Sequence, residues 1–192
     1  MKGWVTLKLG DVAEVQNGFA FKSKDFSDDG IPVIKIKNMS SGIIIFDTYW
    51  KGDVSKLGKY VLDSGDILVS MTGSHLSQRS SAVGKITRYR TRVKGLLNQR
   101  VGKIYPKSDE LDQDFLYYLL VFPSVQEYWA ERAGGAANQA NISPSIIKSL
   151  PITLPDKKMQ TKIASIISNY DQLIENNQKR IAILEEMAQR LY

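Results

Sequence analysis

Cysteine is absent from this chain, and histidine occurs once, at position 75. The first absence excludes a disulfide framework, a thiolate metal site and a cysteine nucleophile. The second excludes multi-histidine metal centres and leaves His75 as a lone candidate for general acid–base work. No stretch approaches the roughly 18 apolar residues of a membrane helix, and the first nine residues lack a signal-peptide core. The expectation is therefore a soluble cytoplasmic protein. No G-x-G-x-x-G follows a strand, which removes a dinucleotide or methyl-donor site of that type. Residues 52–59 resemble a phosphate loop, but the glycines are one residue too far apart and Tyr60 stands where Ser or Thr is required. Asp63 and Asp66 flank a turn, a routine use of Asp, and are not read as a catalytic pair. There is no repeat and no low-complexity tract.

What is present suits recognition. The 192 residues, 43% of them apolar, fit one globular domain plus an appendage. The net charge of +6 is uneven: residues 1–150 hold 20 Lys and Arg against 15 Asp and Glu, and residues 151–192 hold 6 against 5. Between Arg79 and Lys107 there are nine basic residues and no acid. Such a block predicts polyanion binding, and nucleic acid is the commonest polyanion.

Periodicity and turn chemistry outline the elements. Trp4–Leu9 reads as a strand, followed by a helical turn over Asp11–Val15. Ile31–Asn38 reads as a strand whose Ile34 and Ile36 alternate with Lys35 and Lys37. Short strands are expected at Ile43–Phe46, Ile67–Met71, Ala82–Tyr89 and Leu96–Tyr105. Leu111–Phe122 is helical and ends at Pro123; Ser124 is expected to cap a second helix reaching Ala133. Ser143 followed by Pro144 signals a short helical turn. The tract Leu150–Pro155 reads as an extended connector, because residues before Pro avoid the helical region.

The last fifth of the chain organises the rest. Asp156 is a good N-cap, and neither Gly nor Pro occurs between it and Tyr192. Ile163, Tyr170, Asn177, Leu184 and Leu191 fall at sevens, with Ile166, Leu173 and Met187 three residues on, forming an a/d stripe. At 1.5 Å per residue the helix is roughly 50 Å long, too long for one small domain to cover, so it must pair with another helix. Asn177 occupies a central a position, where a buried polar residue fixes register at a cost in stability.

Two polar loops, residues 72–81 and 134–142, present Ser74, His75, Gln78, Arg79, Asn138, Gln139 and Asn141. Arg matches guanine bidentately, Asn and Gln match adenine, and Lys mostly contacts phosphate. The loops are therefore expected to enter a groove of duplex DNA. Lys22, Lys24, Lys35, Lys37, Arg88, Arg90 and Arg92 are expected to hold the backbone.

Several stretches together resemble the DNA specificity subunit of type I restriction–modification systems. They are Trp4–Val15, the Gly18-Phe19-Ala20-Phe21-Lys22-Ser23 stretch, Gly30–Ile34, Asp63–Leu68, Val83-Gly84-Lys85, Asn98-Gln99-Arg100 and the Leu150–Pro155 tract before a long helix. The resemblance implies a non-catalytic α/β target recognition domain with a mixed sheet, residues 1–150. A spacer helix, residues 151–192, would pair as an antiparallel coiled coil. It further implies that each domain reads half of a bipartite double-stranded DNA site. No cofactor is expected on this chain; methyltransferase subunits would bring S-adenosylmethionine, and restriction subunits ATP and magnesium. One domain and one helix stand where the family usually has two. The reading is the amino-terminal half of a longer chain, with a self-pairing half subunit as the alternative. The rivals are a stand-alone dimeric DNA-binding regulator, a coiled-coil adaptor for an acidic protein, and a nuclease. The nuclease is disfavoured by missing metal ligands.

Overall fold

A computed structural model describes residues 3–39, 44–74, 83–135 and 139–191. In chain order the elements are β1 (Val5–Lys8), α1 (Leu9–Val12), β2 (Ala13–Asn17), β3 (Phe26–Ser27), β4 (Ile31–Ile34), β5 (Tyr49–Trp50) and β6 (Val61–Leu62). There follow β7 (Ile67–Ser70), β8 (Thr72–Gly73), β9 (Ile86–Arg88), β10 (Gly95–Leu97), β11 (Val101–Pro106), α2 (Gln113–Leu120) and α3 (Pro123–Glu131). The chain continues through β12 (Ala140–Asn141), α4 (Pro144–Lys148) and β13 (Pro151–Leu154) to α5 (Lys157–Leu191).

The head is built in layers on a four-stranded antiparallel sheet ordered β2-β11-β7-β9. Strand β7 shows why it lies at the centre. Ile67, Leu68 and Val69 are all fully buried. Ile67 and Val69 face a core shared with the helical residues Leu116, Trp129 and Ile147. Leu68 faces the opposite way, into a second core with Ile34, Leu62, Tyr89 and Leu97. Successive strand side chains point to opposite faces, so a strand that is apolar at every position must be covered twice. The second cover is a five-stranded mixed sheet, β3-β5-β4-β10-β6, in which only β10 and β4 run parallel.

Several expected boundaries move. The helical turn lies at Leu9–Val12, and Ala13–Asn17 is a strand paired along β11. Ala13 and Val15 are buried while Glu14 and Gln16 stay half-exposed, a period of two. The strand from Ile31 stops at Ile34, and Ile36–Met39 is a 3-10 turn. Buried Asn38 enforces the change: its Oδ1 accepts from the Lys35 N–H, and its amide donates to the Ile45 carbonyl and Asp47. Residues 44–48 are not a strand; the pairing falls instead at Tyr49–Trp50. Phe122, not Ser124, is the N-cap of α3, because Pro123 sits at the first helical position, where its missing N–H costs nothing. The Leu150–Pro155 connector is a true strand, β13, antiparallel to β1.

Two capping expectations hold. Ser143 Oγ accepts from the Ile146 N–H, and Asp156 Oδ1 accepts from the Met159 N–H. The first turns of α5 lie against α2. Ala164 and Gln160 are buried there, with Ile163 and Ile167 packed at the margin. Gln160 is the tie: it accepts from the Asp112 N–H at 2.9 Å and donates to the carbonyls of Pro155 and Glu110. Beyond Asp171 every described α5 side chain is exposed. Among the described residues no helix is long and apolar enough to cross a membrane, and no cluster of three or more acidic, His or Cys side chains could hold a metal ion.

Candidate nucleic-acid interface

The described ends of the two polar loops meet. Strand β8 pairs antiparallel with β12, placing Thr72 opposite Asn141 and Gly73 opposite Ala140. Thr72 Oγ1 donates to Asn141 Oδ1 at 2.8 Å, and the Ile142 N–H donates to the Met71 carbonyl. Asn141 and Gly134 exchange both backbone hydrogen bonds, closing the second loop on itself. Gly135 makes that closure possible: its φ is +146°, and a Cβ there would lie 1.9 Å from the Gln139 carbonyl oxygen. Ser74 is half-buried at the mouth of this ladder, and Gln139 and Asn141 are exposed on it. His75, Gln78, Arg79 and Asn138 lie outside the described residues.

A third turn joins them. The Met71 N–H donates to the Arg100 carbonyl, so Asn98-Gln99-Arg100 sits beside the start of β8. Gly18 packs directly on this turn, where a Cβ would come within 2.1 Å of the Asn98 carbonyl oxygen. Phe19 bridges to Asn98, and Lys22 and Lys24 follow on an exposed 3-10 turn. Gln99 and Arg100 are both exposed, and among the described residues Arg100 has no carboxylate partner. They were not among the expected contacts. Their signal in sequence was an amide and an Arg in one short turn between strands.

The other basic residues are placed differently. Arg88 is opposite Ile67, at the far end of β7 from the loops. Only 12% of its side chain is exposed; it pairs with Asp114 at 2.7 Å and lies 4.3 Å from the Tyr117 ring centroid. Arg90 pairs with Asp171 of α5 at 3.1 Å. Lys94 pairs with Asp63, and Lys103 with Asp66. The acid-free block of sequence thus meets its acids from distant segments. Arg90 joins the head to α5, Arg88 pairs within the head against α2, and the structure brings neither to the loop cluster. Arg92 is exposed at that same far end.

Lys35 and Lys37 are also engaged. Lys35 Nζ donates to Thr48 Oγ1 and lies 3.8 Å from the Phe26 ring centroid; burial first, then the nearby Lys37 charge, hold its pKa below the ordinary lysine value. Lys37 pairs with Asp47 at 2.6 Å, and chiefly through that bond the Asp47 carboxyl is held below its usual range.

On α5 the stripe and the head do not compete. Gln160, Ala164, Ile167 and Asp171 turn toward the head. At 3.6 residues per turn, Ile166, Tyr170, Leu173 and Leu184 lie about a third of a turn round. Those four are 51–65% exposed, and Met187 is 55% exposed. Asn177 is exposed within the same stripe. Ile163 is the exception, since it packs at the edge of the head's own core. The side chain of Leu191 lies outside the described residues.

Residues 1–186 match the family described as the type I restriction modification DNA specificity domain. The chain is 29% identical over 194 residues to the type I restriction enzyme MjaVIII specificity subunit of Methanocaldococcus jannaschii, covering 98% of this chain and 44% of that protein. It is 30% identical to the putative MjaX specificity subunit of the same organism, over 95% of this chain and 43% of that protein. Its fold is similar to the HsdS subunit from Thermoanaerobacter tengcongensis, with a TM-score of 0.63, 18% identity, and coverage of 91% of this chain and 39% of that one. The type I restriction-modification S subunit from M. genitalium matches with the same TM-score at 21% identity, over 90% of this chain and 40% of that one. The chain spans less than half the length of the curated relatives it matches.

Proposed function

The chain belongs to the type I restriction–modification DNA specificity family, and from that premise we propose that it reads one half of a bipartite duplex DNA site. The observation that carries this reading is the β8–β12 ladder, which sets Thr72 and Gly73 beside Ala140 and Asn141, with the Asn98-Gln99-Arg100 turn against them. Base contacts come from Gln99, Arg100, Gln139 and Asn141 together with His75, Gln78, Arg79 and Asn138. Lys22 and Lys24 hold phosphate at the same end. Helix α5 is the spacer; its exposed stripe lies against the antiparallel helix of a second recognition domain or a second copy. The chain performs no catalysis. Methyltransferase subunits dock on it with S-adenosylmethionine, and restriction subunits bring ATP and magnesium, all in the cytoplasm.

The test is binding to a duplex selected from a random pool, compared with unrelated duplexes, in the presence of the methyltransferase subunit. Alanine at Arg100, Gln78 or Asn138 should each reduce the specific-to-random ratio about tenfold or more, as loss of a bidentate base contact would. If all three leave the ratio unchanged, the loop cluster is not the reading surface.

A further inference from the structure

Helix α5 is attached to the head at two levels. The lower is the Asp112 knot, where Gln160 and Thr161 bond to Asp112. The upper is Asp171, whose Oδ2 receives both the Tyr118 hydroxyl at 3.0 Å and the Arg90 guanidinium at 3.1 Å. Eleven residues separate Gln160 from Asp171, about 16 Å of helix. Two ties that far apart fix direction as well as position. Above Asp171 the head falls away, and an open groove of about 780 Å³ separates Ile86, Arg90 and Tyr117 from Ile174, Gln178 and Ala182.

Resting on the proposed reading of a bipartite site, we infer that Asp171 is a positioning residue that sets the gap between the two half-sites by fixing the direction of α5. The leverage is large. From Asp171 to the end of α5 is about 30 Å, so a 10° tilt moves the tip by ~5 Å. That is roughly one and a half base pairs at about 3.4 Å per step. The energetics are compatible with a trimmed contact that leaves the head folded. The Arg90–Asp171 pair is 43% and 34% exposed, and such pairs contribute little to stability. The apolar anchors Ala164 and Ile167 lie below it. Tyr118 is buried, and burial first, then its bond to Asp171, raises its pKa. Its hydroxyl is therefore a neutral donor aimed at that carboxylate.

The experiment has two arms, each with Asp171→Asn and, as a milder change, Tyr118→Phe. In the first, the absence of cysteine allows clean spin labels at Lys56→Cys on the head and Glu185→Cys on α5. The distance distribution from pulsed dipolar spectroscopy should become at least twofold broader in both variants. An unchanged width overturns the inference. In the second, the complex with its methyltransferase subunit is bound to duplexes whose half-sites are separated by one or two base pairs more or fewer than the preferred gap. The unmodified protein should prefer one gap by at least tenfold. The variants should flatten that preference while keeping discrimination within the half-site. A sharp preference retained by Asp171→Asn, or loss of half-site discrimination in step with the gap preference, contradicts it. Indifference of the unmodified protein to every duplex would instead sink the DNA reading, and the label distances would still report whether the clasp directs the helix.

Discussion

Arg88 and Arg100 carry the same charge and stand twelve positions apart, yet their surroundings are opposite. Arg88 lies between Asp114 and the Tyr117 ring, mostly out of water, and its Nε is buried without an acceptor among the described residues. Replacing it by Ala should cost about 2 kcal/mol of folding stability, since Asp114 and the ring face lose their partner. Urea unfolding should show this while the specific-to-random binding ratio stays within twofold. Arg100→Ala should do the reverse, and Lys22→Ala should weaken all duplexes alike and lower the salt slope by about one. The sequence could show nine cations in a row without an acid. It could not show that Asp63, Asp66, Asp114 and Asp171 arrive from distant segments to pair with four of them. Charge patterning reads local composition, whereas ion pairing is a tertiary property.

At the scale of elements, α5 and its base matter most. Helix starts were legible at Ser143 and Asp156, where a side chain caps its own helix. Edges decided by distant partners were not. Asn38 turns a would-be strand into a 3-10 turn, and β2 is drawn out by pairing with β11. Gln160 gave no signal at all: a polar residue in a helical run, it is buried because Asp112, Glu110 and Pro155 meet it. Burial pushes the Asp112 carboxyl up, but the Phe115 N–H, the Thr161 hydroxyl and the Lys157 charge outweigh it and hold the group below its ordinary value. A carboxyl depressed in the folded state adds stability above its unfolded pKa, about 3.9, and loses it as pH falls through the folded value. Asp112→Ala should therefore cost about 1 kcal/mol at pH 7. The gap to the unmodified protein should close as pH drops below about 4, which urea midpoints at pH 7 and pH 3 would show. Within the stripe, Asn177→Leu should raise the melting temperature of the paired helices and loosen their register. Melting by circular dichroism, with sedimentation for partner number, would detect both; an unchanged melting point would place Asn177 outside the seam.

The whole molecule is a layered head with the β8–β12 ladder at one end of the central sheet and a rod leaving from the other. Geometry supports that division: Thr72, Asn98 and Asn141 gather past the Ser70 end of β7, while Arg88 and Arg90 mark the Ile67 end beside α5. The mixed-sheet fold and the projecting helix were readable from the order of weak motifs and from one long uninterrupted heptad pattern. The separation of the cations between the loop end and the end beside α5 was not, because it follows from strand register. Sequence discrimination by the loop end is therefore the central claim. The most direct measurement is the affinity of the chain, with its methyltransferase subunit, for its selected duplex against a scrambled duplex of equal length at one fixed salt concentration. A ratio of at least about a thousandfold is predicted, and a ratio near one would contradict it.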